Sequence, residues 1–479
     1  MSRLLPPGSQ HRRWIQRAGV LLGALTLVGC ATVGPDFQRP VVAAPVAWQA
    51  AQPHEGTPAA LVDWWAQFND PVLTGLIADA DAASPTLAAA AGRIAEARAG
   101  LTVSEANRLP AVDGGASVTR SGTERDTPVA ARTTGAVAVD SAWEIDLFGR
   151  VQRSTEAAEA RLAAREFEWH EARVSLAAEV ASSYVNYRAC RQLQTARADD
   201  VVSRTETDRM TGVAMDAGFT APADGELARA SLADARADLE DQRAQCEVNI
   251  KALVALVGLP EVTLRERLDG RGNALPVPAA FAVDAVPLQV LSQRPDLAAA
   301  EQELAAASAD IGVAEANRYP RLSLSGSISL TSVLTGGAST ETLPWSIGPA
   351  LSLPIFNGGA RAAEVKAAEA RLAQQQAAYT SAVRTAVREV EQAMVTLDSA
   401  QRREADARTA VEGYTRFVAA TETHWLAGGV SLLSLEEARR SATTAQRKLI
   451  TLRRDRVLDW ISLYKAVGGG WTAPAGDRS

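Results

Sequence analysis

Aromatic residues make up only 5% of this 479-residue chain, and cysteine appears three times and histidine four times. So small a supply of rings excludes a core built on large aromatic side chains. Alanine fills long stretches instead, such as 86–99, 157–164 and 359–373. Alanine brings little apolar area but the best helix propensity, so a core made from it needs closely approached helices. Past the N-terminal leader no apolar run reaches the roughly 18 residues of a membrane-spanning helix. Any membrane crossing must therefore be made by strands. A basic excess is also missing, with a net charge of −7, which argues against a nucleic-acid partner. His11, His54, His170 and His424 are scattered, and no H-E-x-x-H, C-x-x-C or carboxylate cluster stands at ligand spacing. No metal or other cofactor is expected, and no enzyme. Gly468-Gly469-Gly470 lacks the strand, Lys and Ser/Thr of a phosphate loop and reads as a helix stop.

The N-terminus carries a membrane signal. Arg3, His11, Arg12, Arg13 and Arg17 form a basic region ahead of the short apolar run Ala18–Val28. Leu27-Val28-Gly29-Cys30 then has the small-residue pattern of a bacterial lipobox, and a plain signal peptide needs no cysteine after the cut. Cleavage before Cys30 and lipidation of that residue are expected. Ala31 stands where an inner-membrane retention signal would usually carry Asp, which favours the outer membrane. Removing residues 1–29 takes away four arginines and no acid, leaving 45 basic residues against 56 acidic ones.

An internal duplication organises the rest. Residue n matches residue n+210 along nearly the whole chain. Glu105-Ala106-Asn107-Arg108-Leu109-Pro110 falls on Glu315-Ala316-Asn317-Arg318-Tyr319-Pro320, and A-A-E-A-R-L-A at 157–163 recurs at 367–373. Ala217-Gly218 meets Ala427-Gly428, and Val257-Gly258 meets Val467-Gly468. The chain divides into a signal (1–29), an N-terminal extended and equatorial segment (30–83), a first repeat (84–258), a linker (259–293), a second repeat (294–468) and a tail (469–479).

Each repeat reads as helix, β-hairpin and long helical hairpin. A helix at about 85–108 or 295–318 stops at Pro110 or Pro320, because the residue before proline is driven out of the helical region. The hairpins follow at about 112–147 and 322–355. Leu322, Leu324, Ile328 and Leu330 alternate with Ser323, Ser325, Ser327, Ser329 and Thr331. The return strand sets Trp345, Ile347, Leu351, Leu353 and Ile355 on one face, and Val137, Val139, Trp143, Ile145 and Leu147 alternate likewise in the first repeat. Such strands suit a membrane barrel or a half-buried soluble sheet, and Trp143 and Trp345, read as near strand ends, tilt the balance toward the barrel. Glycine then releases the chain into long helices. Residues 360–412 hold neither proline nor glycine, and sixty helical residues span about 90 Å. Val383, Val387, Val390, Met394 and Leu397 keep the 4-3 spacing of a coiled-coil seam, as do Ala177, Val180, Tyr184 and Tyr187. Reversals at Gly218 and Gly428 return each chain as helices 223–257 and 433–467. Four strands close no barrel, and open edges are forbidden in lipid, so three chains supplying twelve strands are expected.

These residues resemble the TolC-like outer-membrane efflux proteins, in the OprM/NodT lipoprotein branch. The marks are the lipobox, Val33-Gly34-Pro35-Asp36-Phe37 with Arg39-Pro40, Trp64-Trp65-Ala66-Gln67-Phe68-Asn69-Asp70-Pro71, Trp143-Glu144-Ile145-Asp146-Leu147-Phe148-Gly149-Arg150, and Arg294-Pro295-Asp296-Leu297. The resemblance implies a mixed α and β membrane protein, a homotrimer whose twelve-stranded barrel in outer-membrane lipid continues as a coiled-coil periplasmic tunnel. It implies a passive duct for drugs or other toxic small molecules, docked through a periplasmic adaptor on an inner-membrane transporter. It also implies a tip gated by polar contacts, with Asp224, its counterpart Ser434, and Glu436 as candidates. By themselves Glu436 and Glu437 read first as a solvated helix face. Exit ducts for type I protein secretion or metal ions, and a structural periplasmic lipoprotein without a pore, are the competing readings.

Cys190 and Cys246 stand 28 residues on either side of Gly218, at one height on an antiparallel hairpin. A disulfide is expected in an oxidising periplasm, with two buried thiols as the alternative. Cα atoms more than about 7 Å apart would exclude the bond.

Overall fold

The computed structural model describes residues 32–471 apart from 41–43, 52–60, 124–128, 271, 279, 282 and 284–286. Cys30 and the signal lie outside the described residues. A short 3-10 helix, Leu61–Phe68, precedes α1 (Pro71–Ala83) and α2 (Pro85–Ala106). The first repeat continues with β1 (Ala111–Thr123), β2 (Val129–Ile145), α3 (Arg150–Asp216) and α4 (Pro222–Val257). Short helices α5 (Glu261–Asp269) and α6 (Pro287–Leu291) lead to the second repeat. That repeat holds α7 (Pro295–Ala316), β3 (Arg321–Thr335), β4 (Ala338–Thr342), β5 (Trp345–Ser352), α8 (Ala360–Leu426) and α9 (Leu432–Ala466).

Two compact units share these elements. One gathers the described residues of Met1–Pro40, Ile94–Arg165 and Ala300–Tyr379, and it holds the sheet. The strands are all antiparallel, with β1 beside β2, β2 beside β3, and β3 beside both β4 and β5. The pairing of β2 with β3 joins the two repeats, because the return strand of one hairpin meets the outgoing strand of the other. Apolar residues then line up across strands: Val137 faces Leu330, Val139 faces Ile328, Trp143 faces Leu324 and Ile145 faces Leu322. Trp345 extends the row from Ile328, and Leu351 extends it from Leu322. Val137, Val139, Ile328, Leu330 and Leu351 are open to the surroundings, as are Trp345 at 72% and Ile347 at 71%, while Trp143, Ile145, Leu322 and Leu324 are half-buried. The opposite face carries Asp113, Asp140, Ser327 and Ser346 in one cross-strand line.

Two strand expectations are corrected. The second return strand is broken at Leu343-Pro344, and Ser329 N–H finds the Pro344 carbonyl there at 3.0 Å. Proline has no N–H to give a ladder, so the strand is split into β4 and β5. Trp345 is thus the first residue of β5 and Trp143 lies two residues from the end of β2, at strand ends as expected, while across the break Trp345 pairs with Ile328 near the middle of β3. Leu353 and Ile355 lie past β5, and Leu147 lies past β2.

The other unit takes Val41–Arg93, Glu166–Ala299 and Thr380–Ser479, within the described residues. Its core gathers the chain's scarce rings. Trp64 is fully enclosed, stacked on Tyr464 with centroids 4.6 Å apart and edge-on to Phe68 and Phe281. Around them pack Val180 and Tyr184 of α3, Leu253 and Val257 of α4, and Val390, Met394 and Leu397 of α8. The two seams read from heptad spacing thus end in one core.

Candidate functional site

The sequence motifs fall on the turns that join strands to helices and on the reversals of the two helical hairpins. The first junction is the W-E-x-D-L-F-G-R string, and each residue has a job there. Trp143 Nε1 donates to the Arg108 carbonyl at 2.9 Å, capping the turn that ends α2. Both Glu144 oxygens accept from Arg150, at 2.8 Å each, so the last strand residues and the first helical one are clasped. Asp146 Oδ2 accepts from the Gln152 N–H at 2.8 Å, one of the orphan donors at the start of α3. Phe148 stacks on Tyr319, centroids 4.6 Å apart. Gly149 holds φ 78°, a left-handed turn open to glycine. The second junction is made by Gly358 and Gly359, at φ 62° and 87°, with Asn357 Oδ1 accepting from Gly359 N–H.

The segment that follows the lipobox is docked on the first junction. Val33 N–H donates to the Phe148 carbonyl at 3.2 Å. Arg153 donates to the carbonyls of Val33 and Gly34 and, at 2.7 Å, to Asp36. Gly34 lies directly on Gly312 of α7, with no room for a Cβ. Arg39 pairs with Glu301 at 2.6 Å. The V-G-P-D-F and R-P strings therefore describe a strap whose charged residues, Asp36 and Arg39, are both paired.

Arg294 of R-P-D-L lies in the other unit and closes the second repeat. It donates to the Ala466 carbonyl, to both Asp296 oxygens and to Glu389. Burial works against its charge, and the hydrogen bonds to Asp296 and Glu389 outweigh it and hold the guanidinium ionised. In the W-W-A-Q-F-N-D-P string Asp70 caps α1, accepting from Val72 N–H at 3.0 Å and Leu73 N–H at 3.2 Å. Tyr184 donates to its other oxygen at 2.9 Å. Burial, opposed by Arg188, pushes the Tyr184 hydroxyl up to about 12, so it stays a donor at any physiological pH.

At the tip both reversals use one motif. Phe219 N–H reaches Ala214 O and Gly218 N–H reaches Met215 O, with Gly218 at φ 77°. Gly429 and Gly428 repeat these bonds to His424 and Trp425. This is the Schellman pattern, which satisfies the last helical carbonyls and needs a left-handed residue. Gly469 and Gly468 use it again to end α9, on Tyr464 and Lys465. A cavity of about 430 Å³ beside the reversals is lined by Met210, Phe219, Trp425 and Leu433 together with Asp224 and Glu436. Asp224 is exposed in the first turn of α4. Ser434 is exposed, its hydroxyl 2.9 Å from that of the helix cap Ser431, and it lies outside that cavity. Glu436 departs from the solvated face expected of it. It is 8% exposed and held by Arg439 at 3.1 Å, whereas Glu437 is exposed and pairs with Arg440.

Cys190 and Cys246 are joined, with Cα atoms 5.6 Å apart. Among the described residues no group of His, Cys, Asp and Glu could hold a metal ion. Three features had no mark in the sequence: Arg188, buried against Tyr184 and the Leu268 carbonyl, Arg153 on the strap, and Glu404, a buried carboxylate with Arg408, Arg453 and Arg456 around it. Only the spacings of four, Tyr184 to Arg188 and Glu404 to Arg408, were legible; the Leu268 carbonyl, the strap carbonyls and Arg453 and Arg456 come from distant segments.

Comparison with known proteins agrees with this geometry. The family model described as outer membrane efflux protein matches residues 76–259 and again 286–469, two segments separated by the offset of the internal duplication. Nodulation protein T of Rhizobium leguminosarum bv. trifolii is 30% identical over 94% of this chain and 97% of its own. Outer membrane protein OprJ of Pseudomonas aeruginosa is 31% identical over 94% of this chain and 95% of its own. The solved outer-membrane channel OprN superposes with a TM-score of 0.82 at 28% identity, covering 92% of this chain and all of that one. The strand-to-helix junctions, the repeated reversal and the duplicated match place this chain in the outer membrane efflux protein family, of TolC-like architecture.

Proposed function

We propose that this chain is the outer-membrane exit duct of a tripartite efflux system, passing drugs or other toxic small molecules and catalysing no reaction. The observation that carries it is the open sheet: among the described residues β1 and β5 each pair on one side only. Its apolar face lies mostly bare, and unpaired strand edges in lipid cost several kcal/mol per group. Three copies turn those edges inward upon one another and give twelve strands. The serine-rich face then lines an aqueous lumen, and the apolar face meets outer-membrane lipid. Lipidation of Cys30 fits the docked strap, since Thr32 packs on Gly149 at the foot of β2, two residues from the anchor. A periplasmic adaptor and an inner-membrane transporter are the partners this reading requires. Asp224 and Ser434 are the exposed polar residues available to shape a closed tip, and Glu436 supports the hairpins from within.

Complementation tests the reading. The full-length gene is expressed with the adaptor and transporter genes from its own locus in a host lacking its outer-membrane efflux proteins. The expected result is a severalfold rise in the inhibitory concentration of at least one toxic compound, lost when the transporter is inactivated. Unchanged susceptibility with normal trimer in the outer membrane would count against efflux.

A further inference from the structure

The two helical hairpins are braced at one height by different chemistry. The 210-residue offset carries Cys190 onto Ala400, Cys246 onto Arg456 and Gln194 onto Glu404. In the second hairpin Arg456 Nη1 lies 2.6 Å from Glu404 Oε2, and Arg408 and Arg453 approach the same carboxylate, which is 3% exposed. An ion pair of this kind assembles when the helices meet and needs no reagent. At Cys190, Cys246 and Gln194 the first hairpin has no such charges; only Arg453 keeps a charged counterpart, Arg243, which pairs with Glu240 instead. Its brace is the Cys190–Cys246 bond between α3 and α4.

That bond needs an oxidant, and the folded hairpin hides both sulfurs from one. Cys190 is 4% exposed and Cys246 3%. Gln242, itself 3% exposed, covers Cys190 with its side-chain amide, Nε2 standing 3.0 Å from Sγ. Disulfide exchange requires a thiolate to reach a sulfur of its partner directly, and a protein oxidant cannot enter a packed helix pair.

We propose that this chain is a client of a disulfide-bearing thiol oxidase of the periplasm, and that Cys190 and Cys246 are oxidised before the first hairpin packs. One cysteine thiolate attacks the oxidase disulfide, forming a mixed disulfide and releasing one oxidase thiolate. The second cysteine thiolate then attacks the sulfur of the first, forming the Cys190–Cys246 bond and releasing the other oxidase thiolate. Two electrons pass from the chain to the oxidase, which leaves as a dithiol carrying the two protons. The bond sets the register of α3 against α4 while they are still extended, 28 residues from Gly218 on each side. Lipidation of Cys30 would block the third thiol and prevent mispairing.

The test uses the full chain in matched bacterial hosts with and without their periplasmic thiol oxidase. Pulse-labelled protein is alkylated under denaturing conditions at intervals and compared with the appearance of protease-resistant trimer. In the oxidase-positive host the bond is expected to form before any resistant trimer, and reductant added to native trimer is expected to leave it intact. Without the oxidase, wild-type trimer should fall several-fold, while Cys190→Ala/Cys246→Ala should give equal trimer in both hosts. Resistant trimer with free thiols that later oxidise without unfolding, or wild-type yield indifferent to the oxidase, would overturn the proposal. The order of bond and trimer is read on the wild type, so it stands even if the double variant fails to assemble.

Discussion

Arg294 Nη1 donates to the main-chain carbonyl of Ala466 at 2.8 Å, tying the residue before α7 to the last turn of α9. Its other donors go to Asp296 and Glu389 at 2.8 to 3.0 Å, and its side chain is only 9% exposed. Arg294→Ala strips one carbonyl and two carboxylates of a shared donor. Removing one partner of a buried pair costs about 3–5 kcal/mol, and these carboxylates are open enough to regain water, so about 2 kcal/mol is expected. Arg294→Lys keeps the charge without the planar fork and should recover only part. Thermal unfolding of the purified protein reads both.

The junction glycines should differ in tolerance. A Cβ on Gly149 would stand 2.5 Å from Thr32 Cγ2, on a backbone at φ 78°, whereas one on Gly358 meets nothing within 4 Å. Gly358→Ala carries the left-handed penalty alone, about 1–2 kcal/mol. Gly149→Ala adds a clash with the strap and should lower outer-membrane yield further. Equal yields of the two variants would contradict the docking of residues 32–36.

Asp70 is 4% exposed and serves α1 and Tyr184 at once. Asp70→Ala loses the cap and leaves a buried hydroxyl without its acceptor, at a cost of about 2 kcal/mol. Asparagine caps nearly as well as aspartate, so Asp70→Asn should lose less than half of that. Denaturant midpoints separate the two.

Asp459 gives a pH dependence of defined sign. Burial raises its carboxyl, aided by Asp455 and opposed by a hydrogen bond from Thr396. A carboxyl raised on folding favours the protonated state, so its contribution is full below the unfolded value near 3.9 and is lost as pH rises through the folded value. Asp459→Asn should therefore stabilise the protein at pH 7, by less than about 1 kcal/mol given its partial exposure. The gain should vanish below the unfolded value. Melting temperatures at pH 3 and pH 7 check it.

Much of this fold was legible because its signals are local. The proline stops at 110 and 320, the glycine reversals at 218 and 428, and the serine-leucine alternation of β3 each act within a few residues. The duplication multiplied every such signal by two. What escaped needed the third dimension. Pro344 was visible in the sequence, yet only the register of β5 on β3 shows that Trp345 sits in mid-sheet. Glu436 carries the same letter as its exposed neighbour Glu437, and its burial depends on the phase of α9 against the cavity at the tip. Arg153 and Arg188 look like ordinary helical arginines until the strap and the turn after α5 bring carbonyls to them.

Conductance of the purified full-length protein in planar lipid bilayers tests whether this chain forms a channel. Trimers should give discrete single-channel steps, enlarged or more frequent in Asp224→Ala, where an exposed tip carboxylate is removed. Glu436→Gln, altering a residue enclosed within the chain, should change conductance less and stability more. Trimers that insert in the bilayer but never conduct, even with Asp224 neutralised, would contradict channel formation.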